Sequence, residues 1–376
     1  MNHSFKKLAA EGPYTITADD LESLAVGSWI LGTGGGGNTY IGLLNMRRLY
    51  EAGSQVTLID PNDLADDDDV AVVSYMGAPL VGQERLGDPD SVAKSVEMME
   101  EVIGRKFTAI MSLEIGGSNG IQPLMAAALL NRPVVDADCM GRAFPEAQMT
   151  SFAIGDLQPY PFALYDPRGI EVVVKKVPTW KWMERVSRKI CVEVGSIAAT
   201  CKAPRTGLEV KEWGIHHTTS QAIALGQCVR EAQRLHNDPI AAILDHAGGI
   251  KLFSGKIIDV DRRTTGGFLR GRAKITGLDA DKGRELEIDF QNEWVIAREG
   301  ENVIATTPDL ICMLDSDSGE GLGTEVVRYG QRVTMIALPA PAVLTSPKGL
   351  EHVGPRAFGY DLDFRPLFGT ESGEAQ

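Results

Sequence analysis

Residues 107–148 read FTAIMSLEIGGSNGIQPLMAAALLNRPVVDADCMGRAFPEAQ. The apolar run Phe107 to Leu113 gives way to a polar, glycine-rich turn, Glu114 to Gly120. A segment of helical length follows, Ile121 to Leu130, and then a short apolar run, Pro133 to Asp136. Continuous apolar runs of this length suit strands buried on both faces, as in a parallel sheet. Strand, turn, helix and strand in that order are the repeating unit of an α/β fold. The segment leaving the second strand carries Asp136, Asp138, Cys139, Arg142 and Glu146, separated by Gly141 and Pro145. Side chains of these charged types are rarely buried unless paired, so a strand exit of this composition is built like a site.

The same alternation extends toward the N-terminus. Gln55 to Ile59 and Val70 to Met76 read as strands, and Ser91 to Gly104 as a helix. Thr17-Ala-Asp-Asp20 resembles a capping box, and Leu21, Leu24, Ala25, Ser28 and Leu31 then recur at helical spacing. Asn38 is placed to cap a second helix carrying Ile41, Leu44 and Leu49. The C-terminal half changes character. Trp180 to Ala199 contains a helix and Thr218 to Leu235 is another, while short strands dominate from Lys251 to Leu338. A chain of 376 residues exceeds one ordinary core. The expected organisation is an N-terminal α/β domain over 1–167, a C-terminal α+β domain over 168–350, and a tail, 351–376, returning to the first domain.

Composition narrows the function classes. The net charge is −14, from 51 acidic and 37 basic residues, and no basic stripe is present. That argues against nucleic acid or an anionic membrane as partner and leaves a small molecule. The acidic run Asp66 to Asp69 reads as a solvated loop. No apolar run approaches the ~20 residues of a membrane span, and the N-terminal MNHSFKKLAAEG lacks the apolar core of a signal peptide. Cysteines stand at 139, 191, 201, 228 and 312, without a C-x-x-C spacing. An odd set of this kind fits a reducing cytoplasm rather than a disulfide framework or a zinc knuckle.

Three strands of the first domain end in polar or glycine-rich turns: Met76-Gly-Ala-Pro79, Glu114 to Gly120, and the segment after Asp136. Parallel strands release their C-termini along one edge, where ligands bind. Glu114, Ser118, Asn119, Asp136, Asp138, Arg142 and Glu146 are therefore expected to converge. The bland reading is of ordinary turns, in which Asn119 caps a helix and Glu114 is solvated. Gly32-Thr-Gly-Gly-Gly-Gly37 matches G-x-G-x-x-G letter for letter, but a helix rather than a strand precedes it, so a dinucleotide fingerprint is rejected. Its expected use is a nest of backbone amides, Gly34, Gly35, Gly36 and Gly37, with Thr33 and Asn38 as side-chain donors. His216-His217 have no metal-pair spacing, whereas Asp245-His246 lies on an expected turn from which His246 could reach the first domain. If a divalent metal ion were bound, Asp136, Asp138, Cys139 and His246 would be its donors, although no full ligand set is visible. No other cofactor is implied.

The segments GTGGGGNTYIG, MGAP, EIGGSNGIQPL, VVDADCMGRAFPEAQMT and VGPRAFGYDLDFRPL follow one another much as in the S-methyl thiohydantoin desulfurases, which the chain resembles from about residue 20 to 367. The resemblance implies an N-terminal α/β domain and a C-terminal domain of swivelling β/α type. For at least one branch of the family it implies hydrolytic removal of methanethiol from an S-methylated thiohydantoin. Some members accompany hydantoinase and oxoprolinase genes, so a non-catalytic subunit of such a complex, or a small-molecule binding module, are the alternatives. The chemistry would be water attack on an electron-poor C=N carbon. Asp138 or Asp136, held by Arg142, is the expected base, and Glu146 or Glu114 the proton donor. The amides of Gly34 to Gly37, with Thr33 and Asn119, would hold the ring carbonyls or a substrate carboxylate. A homo-oligomer is expected from the base rate for such enzymes.

Overall fold

The structure, a computed structural model, describes residues 5–85 and 88–369. The expected parallel unit is present. Strands Thr57–Ile59, Val134–Val135, Ala109–Ser112 and Asp69–Gly77 lie side by side in that order, all parallel. Helices Ala18–Leu31, Tyr40–Glu51, Ser91–Ile103 and Gln122–Leu130 accompany them, and their apolar side chains share one buried cluster with the sheet. The sheet then continues in antiparallel fashion. Ile197–Cys201 pairs with Asp69–Gly77, Phe162–Asp166 pairs with Ile197–Cys201, and Ile170–Val174 closes that edge. The first sheet thus takes strands from both sides of residue 167.

Local chemistry accounts for the first helix. Thr17 Oγ1 accepts from the Asp20 N–H, and the Asp20 carboxylate accepts from the Thr17 N–H, satisfying orphan donors at the helix start. Helix Ala18–Leu31 then packs closely on helix Thr218–Arg234 from the second half. A Cβ on Gly27 would lie 1.8 Å from the Ala222 carbonyl oxygen, and one on Gly226 would lie 1.8 Å from that of Ser23. Only glycine permits this approach.

The short strands of the C-terminal half form a seven-stranded antiparallel sheet. The long pair Ile250–Thr265 and Phe268–Gly277 lies at its middle, and Arg332–Leu338 joins it to Leu310–Asp315. Its own core contains Phe253, Ile288, Phe290, Trp294 and Met335. The tail packs against both halves. Phe358 meets Phe144, the Tyr360 hydroxyl donates to Asp289, and the Leu367 N–H donates to Asp309. Residues 370–376 of the expected tail lie outside the described residues.

Candidate functional site

The C-terminal ends of the parallel strands open onto a cavity of about 550 Å³. Residues 74–79 and 144–147 line it with Leu113, Glu114, Ser118 and Asn119, as do Gly36, Gly37 and Asn38 of the glycine loop. The second half closes it with Asn292, Glu293 and Glu325. Helix Trp180–Glu193 contributes Glu184 and Arg188, and Lys202 follows strand Ile197–Cys201. This is the strand edge at which an open α/β sheet places its ligands.

Glu114 occupies the end of strand Ala109–Ser112 and is 6% exposed. It is not solvated. Asn119 Nδ2 donates to Oε1, and the Phe144 N–H donates to Oε2 at 3.0 Å. Burial pushes its carboxyl up to about 7 in spite of these donors and of Lys202 and Arg142 nearby. Asn119 also accepts the Tyr75 N–H at 2.7 Å, tying two strand ends together rather than capping the next helix. Ser118 reaches the cavity wall and accepts from Gln122 Nε2. Glu146 lines the wall too, held by the side-chain amides of Gln148 and Gln291.

The other residues expected here are placed differently. Asp138 is fully buried and accepts the N–H groups of Ile115 at 2.7 Å and Gly141 at 2.8 Å, so it fastens two loops behind the cavity wall. Burial pushes its carboxyl up to about 8. Asp136 accepts from the N–H and hydroxyl of Ser220 at the start of helix Thr218–Arg234, with His217 Nδ1 at 3.6 Å. Arg142 does not hold Asp138. Its fully buried guanidinium donates to Thr33 Oγ1 at 2.6 Å, to the carbonyls of Pro308 and Asp309 at 3.2 Å, and stacks on Phe144. It joins three segments of the chain, and burial brings it down to about 10. Cys139 donates to the Leu113 carbonyl within the core. His246 sits in the last turn of helix Pro239–Ala247, not on a turn, and is not among the residues lining the cavity. Among the described residues no three His, Cys, Asp or Glu side chains group to hold a metal ion, so Asp136, Asp138, Cys139 and His246 do not form the metal set weighed above.

The glycine loop is held from the second half. The Thr33 carbonyl accepts the Trp294 N–H and the Gly34 carbonyl accepts the Thr324 N–H, both at 2.8 Å. The loop also fits closely against its neighbours: a Cβ on Gly35 would lie 2.0 Å from the Glu293 carboxyl. The N–H groups of Gly36 and Gly37 have no protein acceptor among the described residues, and both glycines line the cavity. Asn38 Oδ1 accepts the Tyr40 N–H at the start of the second helix, and the residue lines the cavity. Thr33 is buried and accepts from Arg142, away from the cavity lining.

Sequence patterns did not single out Glu293, Glu325, Glu184, Arg188 or Lys202. The available signals were Glu293, an acid set between the aromatic residues Phe290 and Trp294, and the glycine-rich run Gly319 to Gly323 before Glu325. Glu293 is 2% exposed, and its carboxyl is pushed well up, first by burial and then by Glu114. Glu325, buried with neither carboxyl oxygen partnered among the described residues, is pushed up by burial to about 7.

These buried acids bear on stability. Glu114 and Glu325 move up from 4.5, and Asp138 from 3.8, on folding. The folded protein therefore binds protons more tightly than the unfolded chain. The stabilisation from the neutral forms is complete below about pH 4 and is lost as pH rises through 7 to 8. The urea midpoint should fall between pH 5 and pH 8. A flat or rising midpoint over that range would contradict these assignments.

Residues 19–176 match the S-Me-THD-like N-terminal domain, and residues 178–367 match the S-Me-THD-like C-terminal domain. The chain belongs to the S-Me-THD-like family. No curated protein matches it. Among solved structures, the X-ray structure of a protein from Chromobacterium violaceum is similar, with 23% identity and a TM-score of 0.79. The similarity covers 94% of this chain and 100% of the other, and extends to the fold. The two matches adjoin at residues 176–178, just before helix Trp180–Glu193, whose Glu184 and Arg188 line the cavity. No helix among the described residues is long and apolar enough to cross a membrane.

Proposed function

We propose that this cavity hydrolyses an S-methyl thiohydantoin, releasing methanethiol and leaving the hydantoin. The observation that carries the reading is Glu114: a carboxyl at a strand end, oriented by Asn119 and the Phe144 N–H, poised near neutrality, and lining the cavity. A base of that pKa takes a proton from water at neutral pH most effectively. The expected role of base thus passes from Asp138 and Asp136, which are fully engaged elsewhere, to Glu114. Glu293 takes the role of neutral acid, since burial and the neighbouring Glu114 both keep its proton on. Carboxyls with different environments, one ionising near neutrality and one held neutral, divide base and acid work between them.

Water would add to the ring carbon bearing sulfur, with Glu114 accepting its proton. The C–S bond then breaks, a C=O bond forms, and the sulfur leaves as methanethiol. The free N–H groups of Gly36 and Gly37 suit the ring carbonyl oxygens as they gain charge. Leu113, Met125, Met140 and Phe144 offer an apolar wall for the S-methyl group. The family match supports the substrate class.

The test is incubation with 5-substituted S-methyl thiohydantoins and a chromogenic thiol reagent, with hydantoin followed by chromatography. Equal amounts of thiol and hydantoin are expected. Ring binding without either product would make the protein a binding module instead.

A further inference from the structure

Among the described residues three cationic side chains line the cavity, and two are committed. Arg85 donates to Asp166 and to the carbonyls of Val194 and Ile197. Arg188 donates to Glu184 and to the carbonyls of Pro145 and Gly267. Lys202 differs. Its N–H is fixed by the Val72 carbonyl at 2.8 Å, which anchors the base of the side chain. Its Nζ lies 4.8 Å from the centre of the Phe162 ring, and among the described residues it donates no hydrogen bond to a protein group. A desolvated ammonium with uncommitted donors, inside a cavity, is arranged for something that arrives there.

The reaction proposed above moves charge toward that group. At the start the negative charge sits on Glu114, which is close enough to Lys202 for each to shift the other's ionisation. As Glu114 takes the proton of the attacking water, the C=N electron pair moves onto the ring nitrogen. The carboxyl becomes neutral and the nitrogen anionic.

We propose that Lys202 is a further catalytic residue of this site, whose ammonium meets the charge developing on the ring nitrogen and protonates it. The proposal rests on the reading of Glu114 as the base. The steps balance. Glu114 gains the water proton and the nitrogen gains one from Lys202. On collapse the hydroxyl proton returns to Lys202, the C–S bond breaks, the thiolate takes the proton of Glu293, and the neighbouring Glu114 restores that proton. Burial brings the Lys202 amine down to about 8, with Glu184 and Glu114 opposing and Arg188 adding to the shift. The thiols of Cys191, Cys201 and Cys139 are its other titratable neighbours. An acid of that strength gives up its proton readily near neutral pH.

Lys202→Met keeps the apolar stem over Phe162 and removes the charge. In the full chain, kcat for an S-methyl thiohydantoin should fall by about 10²–10³ while KM stays within about threefold, and Lys202→Arg should recover part of the loss. The alkaline limb of the wild-type pH profile, near 8, should vanish in Lys202→Met while the acid limb persists. Turnover within threefold of wild type, or an intact alkaline limb, would overturn the assignment. A second measurement does not need turnover. Barbiturate, a cyclic imide ionised at neutral pH, should bind wild type at least about tenfold more tightly than Lys202→Met by calorimetry. Equal affinities, or no binding to wild type, would overturn the assignment as well. Lys202-dependent barbiturate binding by a protein that releases no thiol would overturn both the catalytic role and the hydrolase reading, leaving an anion-binding site.

Discussion

Glu114→Gln should lower kcat for methanethiol release by about 10²–10⁴, the usual worth of a positioned base. The substitution keeps the length of the side chain and removes its ability to accept a proton from water. It also carries a structural cost that can be anticipated. The carboxylate accepts from two donors, Asn119 Nδ2 and the Phe144 N–H. A glutamine amide presents one oxygen and one NH₂, so one of those donors meets another donor. That mismatch should cost on the order of 1–3 kcal/mol of stability. The kinetic loss is far larger than this can explain in protein that remains folded at the assay temperature. The hydrogen-bond mismatch leaves product affinity within severalfold, because the glycine amides and the apolar wall are untouched. If Glu114→Gln instead retains turnover within tenfold, the base lies elsewhere on the wall.

Arg142→Ala should be the most destabilising single change in the molecule. The guanidinium is 0% exposed and donates to Thr33 Oγ1, Pro308 O, Asp309 O and Ala143 O. Those acceptors belong to the glycine loop, to the loop before strand Leu310–Asp315, and to the loop after the DAD segment. Truncation leaves them buried without donors and opens a cavity beneath Phe144. Removing one member of such a buried charged network costs about 3–5 kcal/mol. A melting temperature lower by roughly 5 °C is the expected reading in differential scanning calorimetry. Arg142→Lys should recover only part of this, since one ammonium cannot span acceptors in three segments. A variant that melts with wild type would show that the loops are held together by other contacts.

Much of the first domain was legible because its signals are local. The capping box at Thr17 and Asp20, the left-handed Gly104 ending helix Ser91–Ile103, and the apolar runs at 70–76 and 107–113 each act within a few residues. The glycine loop was legible as a helix–loop–helix for the same reason. The rule that parallel strands open on one edge brought Glu114, Ser118, Asn119 and Glu146 to a common cavity. Asp138 shows where such reasoning ends. A carboxylate that takes two loop amides and one that activates water are the same letter at the same strand end. Only the direction of the side chain separates them, and that is set by Ile115 and Gly141. Arg142 posed the same problem, because its partners at 308 and 309 are more than a hundred residues away. Lys202 and Glu293 sit in segments with no glycine signature, and Glu325 follows the glycine-rich run Gly319 to Gly323 in the other half of the chain. They become part of the cavity wall only when an antiparallel extension and a second sheet fold against the first.

The most direct measurement is a crystal structure of the Glu114→Gln variant soaked with an S-methyl thiohydantoin. The account predicts the ring in the cavity below Gly36 and Gly37, its sulfur-bearing carbon within one water of residue 114 and its imine nitrogen facing Lys202. A ring bound elsewhere, or one whose sulfur-bearing carbon is turned away from residue 114 toward the cavity mouth, would contradict it.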